Sequence, residues 1–158
     1  MTFTVATFYK FVALPDYKDL QMPLKELCRQ QTVKGTILLA EEGINGTIAG
    51  TRKGIDAIFS HLKSDSRLQD IDIKESTAEA TPFAKLKIRL KKEIVTIGLP
   101  DVSPTKQVGT YVPPKEWNNI ISDPEVVVID TRNHYEVGMG TFQGATNPET
   151  DKFNEFPD

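Results

Sequence analysis

The chain has one cysteine, Cys28, in 158 residues, which excludes an internal disulfide and any cage built from cysteines alone. It has two histidines, His61 and His134, and neither has a second His or Cys at ligand spacing, so no metal site is expected. Long apolar runs are missing as well. None approaches the roughly 18 residues that a membrane-spanning helix needs, so no membrane association is expected. Met1 to Pro15 lacks the basic start and small-residue cleavage site of a secretory leader. A reducing compartment, the cytoplasm, fits this set of absences, and the sequon Asn45-Gly46-Thr47 then reads as a chance match. Internal repeats and low-complexity segments are also lacking.

What is present is an ordinary globular composition, 39% hydrophobic and 26% charged, with an uneven distribution of charge. Residues 1–107 hold 16 Lys and Arg against 13 Asp and Glu, a net of +3, whereas residues 108–158 hold 3 against 9, a net of −6. A change of sign at one point suggests two modules. Only the first is suited to a polyanion, because phosphate contacts need a local basic field.

Phe3 to Val12 is rich in aromatic and β-branched residues and predicts a strand. Leu20, Leu24 and Leu27 then mark one face of a helix over Asp16 to Gln31. Pro23 falls inside it, where the missing N–H predicts a restart with Pro23 in the first turn. The runs Gly35–Ala40 and Ile44–Gly50, separated by Glu41-Glu42-Gly43, predict a hairpin. Thr51 offers a capping oxygen to a second helix with Ile55, Ile58, Phe59 and Leu62 on one stripe. Alternation around Ile71 and Ile73 predicts a strand over Leu68 to Lys74. The order strand, helix, strand, strand, helix, strand is that of a ferredoxin-like α+β sandwich. A further extended piece covers Lys85 to Ile97, and the two prolines of Gly98 to Lys106 predict a boundary.

The second module is of another kind. Pro114 predicts a helix start with Trp117, Ile120 and Ile121 on its apolar face, and Val126 to Ile129 is aliphatic without alternation, which predicts a parallel strand covered on both faces. It reads as the start of an α/β domain.

Three groups of residues carry candidate chemistry. Lys85, Lys87, Arg89 and Lys91 alternate with apolar residues, with Lys92 following, so a strand would align cations about 7 Å apart on one face, able to follow a phosphate backbone. The same row also suits a solvated face or an edge guarded against pairing. Asn45, in the Gly-flanked turn Glu41–Gly46, has backbone that could meet a phosphate or ribose hydroxyl, although two neighbouring carboxylates oppose a phosphate and a plain hairpin turn explains the glycines. Asp130 and Arg132 close the aliphatic strand, where α/β sheets gather functional groups, and where an Asp–Arg pair also serves to fix a loop. Cys28, beside the apolar stripe of the first helix, reads as a structural thiol.

Taken with Gly140-Thr-Phe-Gln-Gly-Ala-Thr-Asn-Pro148, the Asp130-Thr-Arg132 strand end resembles the opening of a rhodanese domain. Lys34 to Gly50, Lys87 to Gly98, Glu116-Trp117-Asn118 and Val127 to Asn133 together resemble the tRNA uridine hydroxylase family. The resemblance implies a ferredoxin-like or acylphosphatase-like domain (1–98), a linker (99–110) and the N-terminal part of a rhodanese domain (111–158). It also implies oxygen-dependent 5-hydroxylation of a wobble uridine, tRNA as partner, and a rhodanese-loop cysteine that this chain does not contain. Catalytic residues are therefore expected to be absent here, with Asp130 and Arg132 as supporting residues and Lys85, Lys87, Arg89, Lys91, Lys92 and Asn45 on RNA. The chain reads as a fragment of a longer protein, and no cofactor is indicated by its residues. A rhodanese-type sulfurtransferase and a non-catalytic RNA-binding scaffold are the alternatives.

Overall fold

A computed structural model of the chain describes residues 2–95 and 109–156. It divides into two compact units, Met1–Val95 and Thr96–Asp158. The expected linker, 99–110, and the end of the extended piece at Ile97 fall largely outside the described residues.

The first unit is one five-stranded sheet with two helices on one face. In chain order it runs β1 (Phe3–Phe11), α1 (Tyr17–Gln30), β2 (Lys34–Ala40), β3 (Gly43–Gly50), α2 (Arg52–Lys63), a 3-10 turn (Ser66–Leu68), β4 (Asp72–Ala78) and β5 (Leu86–Leu90). The sheet order is β4-β1-β3-β2-β5, antiparallel throughout except that β5 lies parallel to β2. Period-2 burial sends Ala6, Phe8, Ile37, Leu39, Ile44, Ile48 and Ile88 toward the helices, where they meet Leu24 and Cys28 of α1 and Ile55, Ile58, Phe59 and Leu62 of α2. Phe8 and Phe59 meet edge to face at 5.3 Å. Burying such side chains contributes about 1.5–3 kcal/mol each before conformational entropy is set against it.

The helix α2 starts as its sequence dictates, with the Thr51 hydroxyl accepting from the Gly54 N–H at 3.1 Å. The β2–β3 turn is equally local. Gly43 has φ +144°, and a Cβ there would lie 2.0 Å from the Lys10 carbonyl oxygen, so only glycine lets β1 and the turn approach.

Three expectations for the first unit need correction. The helix α1 runs unbroken through Pro23; Pro23 is exposed, and so is Asp19, whose carbonyl would have been its partner and can be satisfied by water on that face. The fourth strand begins at Asp72 rather than Leu68, because Asp65 accepts from the Arg67 N–H and Leu68 and Ile71 continue a chain of turns before extension starts. The extended piece over Lys85 to Ile97 is a strand only for Leu86–Leu90; beyond Lys91, whose N–H still bonds Leu39, the backbone turns across the sheet.

In the second unit, Pro114–Glu116 forms a 3-10 turn leading into α3 (Trp117–Ile121), and α4 (His134–Met139) follows Asn133. Ile129 bridges Thr146 in parallel. The expected buried strand over Val126–Ile129 does not form among the described residues; only Ile129 is bridged, and the segment is largely exposed, Val127 at 75%. A strand pairs on two edges, and the described residues supply a neighbour for one.

Candidate nucleic-acid interface and strand-end site

The helices leave the other face of the first unit's sheet open, and the registers say which side chains it shows. Thr36 pairs with Lys87 and Leu38 with Arg89 across β2 and β5, Thr36 with Thr47 and Leu38 with Asn45 across β2 and β3, and Thr47 with Thr7 and Asn45 with Tyr9 across β3 and β1. Since Ile37, Ile88, Ile44 and Ile48 point to the helices, these alternating residues point away from them. Lys87 and Arg89 are exposed on that face at the β5 edge, Lys85 immediately before the strand and Lys91 and Lys92 immediately after it are exposed too, and none of the five is in an ion pair among the described residues. The cations that are neutralised lie elsewhere. Arg52 is held by Glu75 and Asp56, Arg67 by Asp16 and Asp65, and Lys10 by Asp70.

Asn45 makes a contact that its turn did not suggest. Its amide donates to the Ile94 carbonyl at 3.2 Å, while the Glu42 carboxylate accepts from the Ile94 N–H at 2.6 Å. The two side chains form a clasp that draws residues 91–95 over the open face, with Ile94 buried outside the helix-side core. Periodicity gives no hint of this clasp, because an acid and an amide in a turn look solvated until their partner some fifty residues on is known.

In the second unit the structure brings Asp130 and Arg132 together. The guanidinium donates to Asp130 Oδ1 at 3.0 Å and Oδ2 at 2.6 Å, and also to the Gly140 carbonyl at 2.6 Å, while the Thr141 hydroxyl donates to Asp130 Oδ2 at 2.7 Å. Arg132 first, and then Thr141, hold the Asp130 carboxyl well below the usual carboxylate range. The Arg132–Gly140 and Thr141–Asp130 bonds join the end of this segment to the turn after α4, and the Arg132–Asp130 pair locks the two anchors together, which is the loop-fixing role; sequence reasoning missed Thr141, though it follows Gly140 directly in the quoted motif. Beside them lies a cavity of about 650 Å³ whose wall includes Trp117 and Phe142, stacked at 4.9 Å with 6° between planes. Cys28 is fully buried in the other unit, where burial pushes its thiol up to about 12, so it is no nucleophile.

Among the described residues no group of three or more His, Cys, Asp or Glu could hold a metal ion, and no helix is long and apolar enough to cross a membrane.

An α+β sheet of order β4-β1-β3-β2-β5 with both helices on one face defines an acylphosphatase-like, ferredoxin-type domain. The chain belongs to the family described as the UPF0176 acylphosphatase like domain, whose model matches residues 3–94. A curated relative from Picosynechococcus sp., named tRNA uridine(34) hydroxylase, is 55% identical over 156 residues, 99% of this chain and 52% of the relative. The chain thus spans about half the length of the curated relative it matches. Among solved structures, an acylphosphatase from Coxiella burnetii is 8% identical with a TM-score of 0.40, over 56% of this chain and 93% of its own. Klebsiella pneumoniae BlrP1 in a calcium and cyclic diGMP complex is 18% identical with a TM-score of 0.48, over 58% of this chain and 24% of its own. Both are too remote to bear on its chemistry.

Proposed function

We propose that the chain is the N-terminal portion of a tRNA-modifying enzyme that hydroxylates the wobble uridine in an oxygen-dependent reaction in the cytoplasm. Residues 1–98 hold the tRNA and residues 111–158 open a rhodanese-like domain, joined by 99–110. The observation that carries this reading is the 55% identity, sustained over 99% of the chain, to the relative named tRNA uridine(34) hydroxylase. The arrangement of cations on the first unit's sheet supports this reading. Lys87 and Arg89 share the open face with Lys85, Lys91 and Lys92 beside them, and none of these cations is neutralised by a described carboxylate. Asn45 contributes by holding the Ile94 segment rather than by contacting RNA with its amide nitrogen. Asp130 and Arg132 act as positioning residues for the turn at Gly140–Thr141. The edge position of β5 means that its lysines also discourage pairing with another chain, which is compatible with an RNA role.

The test is nucleoside mass spectrometry of tRNA from cells in which the gene for the full-length protein is deleted. The expected result is loss of 5-hydroxyuridine at the wobble position, restored by the full-length gene and only partly restored when Lys85, Lys87 and Arg89 are all Ala. Loss of a thiolated nucleoside instead would assign sulfur transfer, and unchanged tRNA would leave a scaffold. In vitro, each phosphate contact removed should lower the salt slope of tRNA binding by about 0.7 for single-stranded and about 0.9 for duplex regions. A triple variant with unchanged affinity and slope would refute the role of β5.

A further inference from the structure

The open face is bounded at both ends. The clasped Ile94 segment closes one end at Asn45, and at the other the β4–β5 connection lays Phe83 against the sheet, its backbone held by the Thr81 hydroxyl donating to the Phe83 carbonyl at 3.3 Å. Between them is a slot of about 180 Å³ lined by Thr36, Leu38, Asn45, Gly46, Thr47 and Phe83. That is smaller than the roughly 300–1,000 Å³ of sites that enclose a whole small molecule. It suits one planar ring, with the rest of the ligand outside.

The lining is what a base requires. Phe83 offers an aromatic wall and Leu38 an apolar floor, while Thr36 and Thr47 present hydroxyls and Asn45 a carbonyl oxygen. The strand backbone is already paired in the sheet, so these side chains are the groups left to meet the edge of a ring. The Thr47 hydroxyl bonds Thr7 at 3.0 Å and, as both donor and acceptor, keeps capacity for a second partner. No lining residue is charged, and the register places Lys87 directly beside Thr36 and Arg89 beside Leu38. An anionic group attached to a ring in the slot would therefore emerge onto two cations that have no carboxylate partner among the described residues.

We propose that this slot takes one unstacked base of single-stranded RNA, stacked on Phe83, with the flanking phosphates on Lys87 and Arg89. The inference rests on the reading of β5 as RNA-facing and narrows it to single strands, since a base inside a duplex cannot present its face to a side chain. A sheet face carrying a stacking ring beside a basic edge binds bases with little sequence preference, because every base has a π-face.

The experiment is fluorescence anisotropy of the 158-residue chain with a short labelled oligouridine and with an RNA duplex, across a salt series. Phe83→Ala should weaken oligouridine binding about 5- to 150-fold, the factor that one base on an aromatic ring contributes, and leave duplex binding and the salt slope unchanged. Phe83→Leu keeps an apolar side chain in place and should show the same loss with an unaltered melting midpoint. Lys87→Ala with Arg89→Ala should instead lower the slope, by about 0.7 for each contact. If Phe83→Leu binds oligouridine as the parent does, the slot is refuted. That result with a lowered slope in the lysine–arginine variant leaves the basic edge standing, and without it both readings fall.

Discussion

Replacing Ile94 with Ala tests whether the chain beyond β5 is part of the first unit's structure. Ile94 is 3% exposed and lies outside the helix-side core, packed on the open face of the sheet. The substitution removes three carbon atoms, about 2.4 kcal/mol at ~0.8 kcal/mol per buried methylene, plus a cavity contribution that is small where a peripheral segment can settle. A loss of about 2.5–3 kcal/mol is expected. For a unit of about 95 residues this lowers the melting midpoint by roughly 10–24 °C at about 4–8 °C per kcal/mol. Urea melts followed by far-ultraviolet circular dichroism supply the measurement, with the slope in urea unchanged if the denatured state is the same. The partner substitution is Glu42→Ala, which leaves the Ile94 N–H without its carboxylate acceptor and should cost about 1.5–3 kcal/mol. The two residues share one clasp, so the double variant should depart from additivity by at least about 0.5 kcal/mol. A cost for Ile94→Ala below about 0.5 kcal/mol, the range of an ordinary surface change, would refute the packing.

The purified 158-residue chain should show neither hydroxylase nor sulfurtransferase turnover, because Cys28 is its only thiol and is buried; turnover that vanishes in Cys28→Ala would overturn the assignment. The same thiol is raised from its ordinary 9.0 to about 12 in the folded chain, so its contribution to stability is complete below pH 9 and is lost as pH rises toward 12. Cys28→Ala should flatten that alkaline limb in urea melts. Hydrogen bonds from Arg67 hold the carboxyls of Asp16 and Asp65 below their ordinary 3.8. Their contribution is therefore present above that value and lost as pH falls through the folded values, and Arg67→Leu should flatten the acid limb; an unchanged limb would count against the Arg67 bridge. Asp130→Ala should release Arg132 and Thr141 and shift the emission of Trp117, which lines the same cavity, to longer wavelength. Unaltered emission and near-ultraviolet circular dichroism would show that the network does not shape that cavity.

Where the determinants are local, the sequence suffices. The Thr51 cap and the stripe Ile55, Ile58, Phe59 and Leu62 place α2 because they lie within one helix, and the Gly-bounded turn places the β2–β3 hairpin because its register follows from the turn. The alternation at Lys85–Lys91 also gives the right faces, with Ile88 inward and Lys87 and Arg89 outward. Pro23 misleads because what decides its cost is whether the orphaned Asp19 carbonyl faces water, which only packing reveals. The start of β4 misleads because the Asp65–Arg67 turn competes locally with extension. The clasp at Ile94 and the slot beside Phe83 join residues distant in sequence, so no window along the chain contains them. Asp130 and Arg132 stand where the motif puts them, but that they reach Gly140 and Thr141 is a fact of the fold.

Among the described residues, the strand that carries Lys87 and Arg89 is hydrogen-bonded on one side only, and the chain crosses the full width of the sheet from β4 to deliver it. Detaching β5 breaks one ladder, whereas freeing β1 or β3 breaks two. In amide exchange the N–H groups of β5 that bond to β2 should consequently trade hydrogen through openings cheaper than global unfolding, ahead of those in the centre of the sheet. Any ligand that bridges β5 to β2 must first have that strand in place, and so it raises the free energy of the opening by its own binding term. Protection gained at β5 and nowhere in β1 would thus measure the affinity of such a ligand through the free energy at which one edge strand lets go.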